Sequence, residues 1–226
     1  QRQDHPGYAA MVAAVDASLS RIETMLESLG LAEHTVVVFV SDNGGLSTLA
    51  GERGHAAPTS NRPLRAGKGW LYEGGIRVPL IIRWSRAVAA ATETDIPATT
   101  TDLYSTLLAI ADIPPPAGVE SDGMDLTPFL TGEPGTTPHR DLFWHFPHYH
   151  GSGNRPSGAL LSGNRKLVEW FETGETELYD LSVDPGERLD LSDSLPGPTA
   201  ELRDRLADWR SSIGAAMPRP NPDWSP

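Results

Sequence analysis

Hydrophobic positions between Tyr8 and Leu29 fall at Met11, Val12, Val15, Leu19, Ile22, Met25, Leu26 and Leu29, the spacing of one helical face, and Gly30 follows where a C-terminal cap belongs. The pattern predicts an amphipathic helix. The period then changes: Val36-Val37-Val38-Phe39-Val40 is a continuous apolar run rich in β-branched residues, as required of a parallel strand covered on both faces. Pro79-Leu80-Ile81-Ile82-Arg83-Trp84 predicts a second such strand, with its proline at the start where a missing N–H is tolerated. Thr99-Thr100-Thr101-Asp102 offers caps for a helix through Leu103, Leu107, Leu108 and Ile110, which Pro114-Pro115-Pro116 stops.

After about Gly132 the texture shifts to shorter strands, predicted at Asp141–Phe146, Ala159–Ser162, Lys166–Phe171 and Glu177–Leu181, with Gly163-Asn164 and Thr173-Gly174 as hairpin turns. An amphipathic helix is expected from about Thr199 to Ile213, and the proline-rich tail from Met217 reads as irregular. The expected fold class is α/β: part of a mainly parallel sheet flanked by helices, then a small antiparallel α+β subdomain. The corresponding boundaries are 1–131 for the α/β part, 132–216 for the small subdomain and 217–226 for the tail. There is no internal repeat.

Composition narrows the chemistry. The 226 residues suffice for one large domain, or for a medium domain plus a small one. With 18 Lys+Arg against 30 Asp+Glu the formal net charge is −12, which argues against nucleic acid as a partner. Any anion handled here must be held by a local positive site. The absence of cysteine rules out a disulfide framework and a thiolate metal site within these residues. No stretch approaches the roughly 18 apolar residues of a membrane span, and Gln1-Arg2-Gln3-Asp4-His5-Pro6 lacks the apolar core of a signal peptide.

Ser41-Asp42-Asn43-Gly44-Gly45 stands directly after the first buried strand, and in open α/β sheets ligands bind beyond the carboxyl ends of strands. Its carboxylate and amide oxygens suit a hard cation such as calcium or magnesium, while the same residues also serve as plain turn chemistry. Farther on, Gly67-Lys68-Gly69-Trp70-Leu71-Tyr72-Glu73-Gly74-Gly75-Ile76-Arg77-Val78-Pro79 places a lysine between two glycines. The glycines let the backbone approach a ligand closely, and the ammonium offers a point charge to an anionic oxygen. Taken singly, Lys68 also fits a solvated surface residue.

Taken together, Asp-Asn-Gly after a hydrophobic strand and Gly-Lys-Gly-x-x-Tyr-Glu-Gly-Gly-x-Arg-x-Pro before the next one resemble the C-terminal half of the sulfatase catalytic domain. The resemblance extends from the Tyr8 helix to Glu177-Leu178-Tyr179-Asp180-Leu181, which is similar to the family's C-terminal subdomain. It implies that Asp42 and Asn43 are calcium ligands, and that Lys68 holds the sulfate and helps stabilise the leaving oxygen. Zinc phosphatases and phosphodiesterases of the same superfamily typically carry a histidine after that aspartate. Asn43 stands there instead, an oxygen ligand that favours calcium.

The resemblance also implies what should lie upstream. Sulfatases use a formylglycine made from the first residue of a Cys/Ser-x-Pro/Ala-x-Arg motif, and no serine here begins one. The nucleophile and the aspartate pair that completes the calcium site are therefore expected in an N-terminal part of the same enzyme. Related sulfatases acting on carbohydrates place variable loops over the substrate from the region of His145-Phe146-Pro147-His148-Tyr149-His150. His148 and His150 are thus candidates for hydrogen bonds to sugar hydroxyls or a second anionic group, although alternate histidines at a strand end also serve packing. His55, between the two main motifs, reads as a loop histidine that could face the site.

The expected activity is calcium-dependent hydrolysis of a sulfate ester on a carbohydrate or an aryl group, in a periplasmic or secreted setting by family resemblance. These residues alone are expected to be inactive. The rivals are a non-catalytic domain binding an anionic glycan, and a phosphatase or phosphodiesterase relative.

Overall fold

The computed structural model describes residues 3–49, 56–133, 139–219 and 221–222. Helix α1 spans Pro6–Ser28, and a 3-10 turn at Ala32–His34 leads into strand β1, Val37–Val40. Next come the short helix α2 at Glu73–Ile76, β2 at Leu80–Arg83, α3 at Asp102–Ile110 and α4 at Thr127–Leu130. The remainder is β3 at Asp141–Phe146, β4 at Ser157–Ser162, β5 at Arg165–Trp170, β6 at Thr176–Asp180 and α5 at Pro196–Ser212. The chain divides into two compact units. One comprises 1–16, 40–80 and 139–226, the other 17–39 and 81–138.

In the first unit β3-β4-β5-β6 form an antiparallel meander with Leu160 opposite Leu167 and Leu167 opposite Leu178. Strand alternation sends neighbouring side chains to opposite faces. On one face Leu160, Leu167 and Leu178 are fully buried against Leu202 and Leu206 of α5, one helical turn apart, and Phe143 stacks on Trp209 at 4.8 Å. On the other face Ala159, Val168, Trp170 and Tyr179 pack against Leu71 and Tyr72, residues of the motif that carries Lys68. Each buried leucine side chain contributes about 1.5–3 kcal/mol, so this sheet is a firm platform. Gly163 (φ 57°) and Gly174 (φ 70°) occupy the left-handed positions that the two expected hairpin turns need.

In the second unit β1 pairs with β2, and Glu23 of α1 meets Arg83 at 3.5 Å. Helix α3 starts as expected, yet Thr101 makes no side-chain cap. The wholly buried Asp102 carboxylate instead accepts the N–H groups of Thr99 (2.7 Å) and Met124 (2.9 Å). Thr106, also buried, donates to the Asp102 carbonyl and accepts the Leu126 N–H. This unit is fastened by polar groups.

The fold is α/β with helices and a prominent antiparallel sheet, and the expected mainly parallel sheet is not observed. Among the described residues β1 has a single neighbour, and the larger sheet is the antiparallel meander. The physical reason lies in the strands at hand. Within 1–131 the described strands are β1 and β2, which form a two-stranded sheet, whereas the expected tight turns at Gly163-Asn164 and 171–175 build the antiparallel meander. An apolar run such as Val36–Val40 shows that a strand needs cover, not how many strands stand beside it.

Candidate functional site

The site is built where β1 runs out. Ser41 Oγ donates to the Asn43 carbonyl at 2.8 Å, bending the chain so that Asp42 stands exposed to solvent. Asn43 donates its Nδ2 to the Gly44 carbonyl at 3.0 Å, which turns the amide oxygen away from that bond and, among the described residues, leaves it without a donor. Asp42 and Asn43 are thus consecutive residues of one turn, each with a side-chain oxygen.

The lysine loop is tied to this turn by backbone. Lys68 N–H donates to the Gly45 carbonyl at 3.1 Å, Gly44 N–H donates to Gly75 O at 3.0 Å, and Asn61 bridges Gly45 from the other side. Both glycines flanking Lys68 are sterically required. A Cβ on Gly67 would lie 2.2 Å from the Gly45 carbonyl oxygen, and one on Gly69, whose φ is +86°, would lie 2.1 Å from His150 Nδ1. The Lys68 side chain is exposed and, among the described residues, pairs with no carboxylate. That is the state in which an ammonium receives an anion.

His150 is therefore packed directly on Gly69, next in sequence to Lys68. Ser152 N–H donates to His150 Nδ1 at 3.2 Å, so the neutral ring carries its proton on Nε2. Trp70 Nε1 holds the same loop through the Ser152 carbonyl at 3.2 Å. His148 is more exposed. Its ring stands edge-on to Phe146 at 5.6 Å, and His150 lies 6.3 Å from the same ring. Hydrogen bonds and close packing join the turn carrying Asp42 and Asn43, the Lys68 loop and His150, whereas among the described residues His148 is linked to them through Phe146. His55 lies outside the described residues.

A second layer holds the Lys68 loop against the antiparallel sheet. The Arg65 guanidinium sits 3.7 Å from the Tyr72 ring centroid and donates to Tyr179 OH and to the Glu187 carbonyl. Glu177 gathers three donors, Tyr72 OH at 2.6 Å, Tyr179 OH at 2.8 Å and Trp170 Nε1 at 3.1 Å. Burial and the Glu177 carboxylate push both phenols up, so they remain donors at any physiological pH. Beneath them Lys166, fully buried, contacts Glu73 and Glu187 at 2.8 Å each, while Glu187 also accepts the Glu73 N–H at 2.7 Å.

Asn61, Glu73, Lys166, Glu177 and Glu187 were not singled out by sequence. Glu73 carried a signal, since an acid before paired glycines inside a ligand-binding motif invites a buried partner. Lys166 and Glu187 carried none, because charged residues in a short strand and a turn ordinarily face water.

The oxygens of Asp42 and Asn43 match a hard cation in kind, and two residues fill only part of a shell of about 6–8 oxygens. Among the described residues no group of three or more His, Asp or Glu is placed to hold a metal, and no helix is long and apolar enough to cross a membrane.

Comparison with known proteins shows which family the chain resembles. The sulfatase family model matches residues 1–113, and the model described as N-sulphoglucosamine sulphohydrolase, C-terminal, matches residues 66–211. The chain is 36% identical over 207 residues to a sulfatase of Formosa agariphila, covering 84% of this chain and 36% of that protein. It is 34% identical over 214 residues to arylsulfatase A of Homo sapiens, covering 85% of this chain and 40% of that protein. Among solved structures, Ps i-CgsB in complex with k-i-k-neocarrahexaose superposes with a TM-score of 0.75 at 27% identity, over 92% of this chain and 44% of that one. A protein in complex with its substrate D-glucosamine-2-N,6-O-disulfate superposes with a TM-score of 0.72 at 25% identity, over 92% of this chain and 40% of that one. The chain thus spans less than half the length of each of these relatives.

Proposed function

This chain belongs to the sulfatase family, and we propose that it is the C-terminal portion of a calcium-dependent enzyme that hydrolyses sulfate esters of carbohydrates. The observation that carries the reading is the clasp between the Asp42–Asn43 turn and the Gly67–Gly69 loop, in which Lys68 N–H is bonded to Gly45. A cation-binding turn and an anion-binding lysine loop tied by a backbone hydrogen bond suit one ligand with both needs, a metal-bound sulfate. Bound at Asp42 and Asn43, calcium would draw electron density from a sulfate oxygen.

The chain's own residues divide the remaining work. Lys68 holds the sulfate and offsets the charge that develops on the leaving oxygen as the S–O bond breaks. His150, its Nε2 carrying the proton, and His148 recognise the sugar through hydrogen bonds. Related proteins were crystallised with a sulfated sugar and with an oligosaccharide, which supports a carbohydrate over a simple aryl substrate. Residues 1–131 would belong to the catalytic α/β domain, 132–216 to a small subdomain and 217–226 to a tail. A periplasmic or secreted location fits such a substrate.

The nucleophile, a formylglycine, would come from an upstream part. Stabilising charge at sulfur achieves nothing without a positioned nucleophile, so binding without turnover is expected of residues 1–226. The test is to assay these residues with an activated aryl sulfate, then again with an upstream segment matured by a formylglycine-generating enzyme. Turnover only in the second arm supports the reading. Enzyme-like turnover by the chain alone would sink it, and anionic-glycan binding with no turnover in either arm would favour the non-catalytic binding domain.

A further inference from the structure

Asn61 touches both halves of the site without being part of either. Its Oδ1 accepts the Gly45 N–H at 3.1 Å, and its Nδ2 faces the Gly45 carbonyl at 2.8 Å, the Ala66 carbonyl at 2.9 Å and Ser47 Oγ at 3.2 Å. A planar amide paired with both polar groups of one residue behaves like a strand neighbour, fixing orientation as well as distance. The Gly45 carbonyl that it grips is also the one that receives Lys68 N–H.

The second grip falls on a strained residue. Ala66 has φ +56°, a left-handed backbone that L-residues with a Cβ rarely adopt. Such a conformation persists only where its surroundings over-determine it, and it gathers at functional sites. Here the Ala66 carbonyl is held by Asn61 Nδ2 and by the buried Ser47 hydroxyl at 2.7 Å. Gly67 and Lys68 follow directly, so the turn at Ala66 sets the direction in which the lysine leaves the backbone.

We propose that Asn61 is a positioning residue for sulfate-ester hydrolysis, clamping Gly45 and Ala66 so that Lys68 and the Asp42–Asn43 pair keep one fixed spacing. This rests on the proposed function. It assigns the work to a side chain that makes no contact with substrate, and it explains why a glycine-rich loop, ordinarily pliable, can present an ammonium at a defined place.

The test uses Asn61→Asp and Asn61→Ala. Aspartate keeps the size and the acceptor for Gly45 N–H but turns a carboxylate oxygen toward two carbonyls, while alanine removes both grips. In the chain of residues 1–226, the amides of Gly45 and Lys68 should exchange with solvent about tenfold faster in Asn61→Asp, the worth of one hydrogen bond. The Leu178 amide, bonded to Asp190 at 3.0 Å in β6, should not change. In the complete enzyme, kcat/KM should fall about 10–100-fold, as for other residues that orient catalytic groups. Adding Lys68→Ala to either variant should then cost much less than Lys68→Ala costs alone.

Unchanged exchange at Gly45 and Lys68 would overturn the clamp. Losses that multiply independently would overturn the positioning of Lys68, leaving Asn61 a plain stabiliser. If turnover of the complete enzyme ignored Lys68→Ala, the proposed function would fail and the positioning role with it, while faster exchange at the two amides would still locate the clamp.

Discussion

Two regions of similar apolar character end in opposite conditions. In the meander β3–β6 with α5, Leu160, Leu167, Leu178 and Leu206 are 0% exposed. In α1 no residue is buried, and Met11, Ile22 and Met25 are 68%, 54% and 58% exposed although they follow a clean helical period. The meander supplies its own cover: two sheet faces, one helix and one loop motif answer each other within the first unit. Within the described residues nothing buries the α1 stripe. Periodicity states which side chains seek cover, and only a partner decides whether they find it.

The comparison can be broken most sharply at Lys166. Replacing it by methionine leaves Glu73 and Glu187 buried with no cation between them, and the expected loss is about 3–5 kcal/mol in urea unfolding followed by tryptophan fluorescence. A loss below 1 kcal/mol would mean that the ionic cluster contributes little to the platform, and apolar packing alone carries it. Next in size, Leu206→Ala should cost about 2–5 kcal/mol, whereas Ile22→Ala in the same chain should stay within about 0.5 kcal/mol. Equal costs at the two positions would erase the contrast.

Smaller again is Asp102→Ala, expected to cost about 1–3 kcal/mol because the N–H groups of Thr99 and Met124 lose their acceptor inside the second unit. Thermal unfolding would show it, and an unchanged midpoint would mean that polar fastening is not what holds α3. The smallest effect concerns pH. Burial raises the Glu187 carboxyl above its ordinary 4.5, outweighing the pull of Lys166. Its proton is therefore kept longer in the native state than in the unfolded chain. The contribution is complete below the ordinary value and declines as pH rises through the native one. Wild type should lose stability over that window relative to Glu187→Gln, and parallel stability profiles would refute the shift.

Much of this was legible from residues. The four strands of the meander were placed within one or two positions, since turn glycines at 163 and 174 bracket alternating segments. The site motifs were visible because Asp42, Asn43 and Lys68 stand in short runs whose neighbours are glycines. What escaped were features made by distant pairings. Asn61 reads as part of an Asn-Arg-Pro turn, and its value comes from Gly45, sixteen residues earlier. Glu187 looks like a solvated loop acid until β5 brings Lys166 beneath it. That β1 has one neighbour among the described residues was hidden for the same reason, since a strand's own residues do not count its companions.

The meander also carries a kinetic consequence. Each of its strands pairs with the next in sequence, with Gly163-Asn164 between β4 and β5 and residues 171–175 between β5 and β6. Short closures are entropically cheap, and topologies rich in local pairings fold fast. The Lys68 loop must instead span from Arg65 to Tyr179 and from Glu73 to Lys166 before its contacts form. On refolding, amide protection should therefore appear in β4–β6 ahead of residues 61–76, so that the part bearing the chemistry is fitted last onto a surface already made.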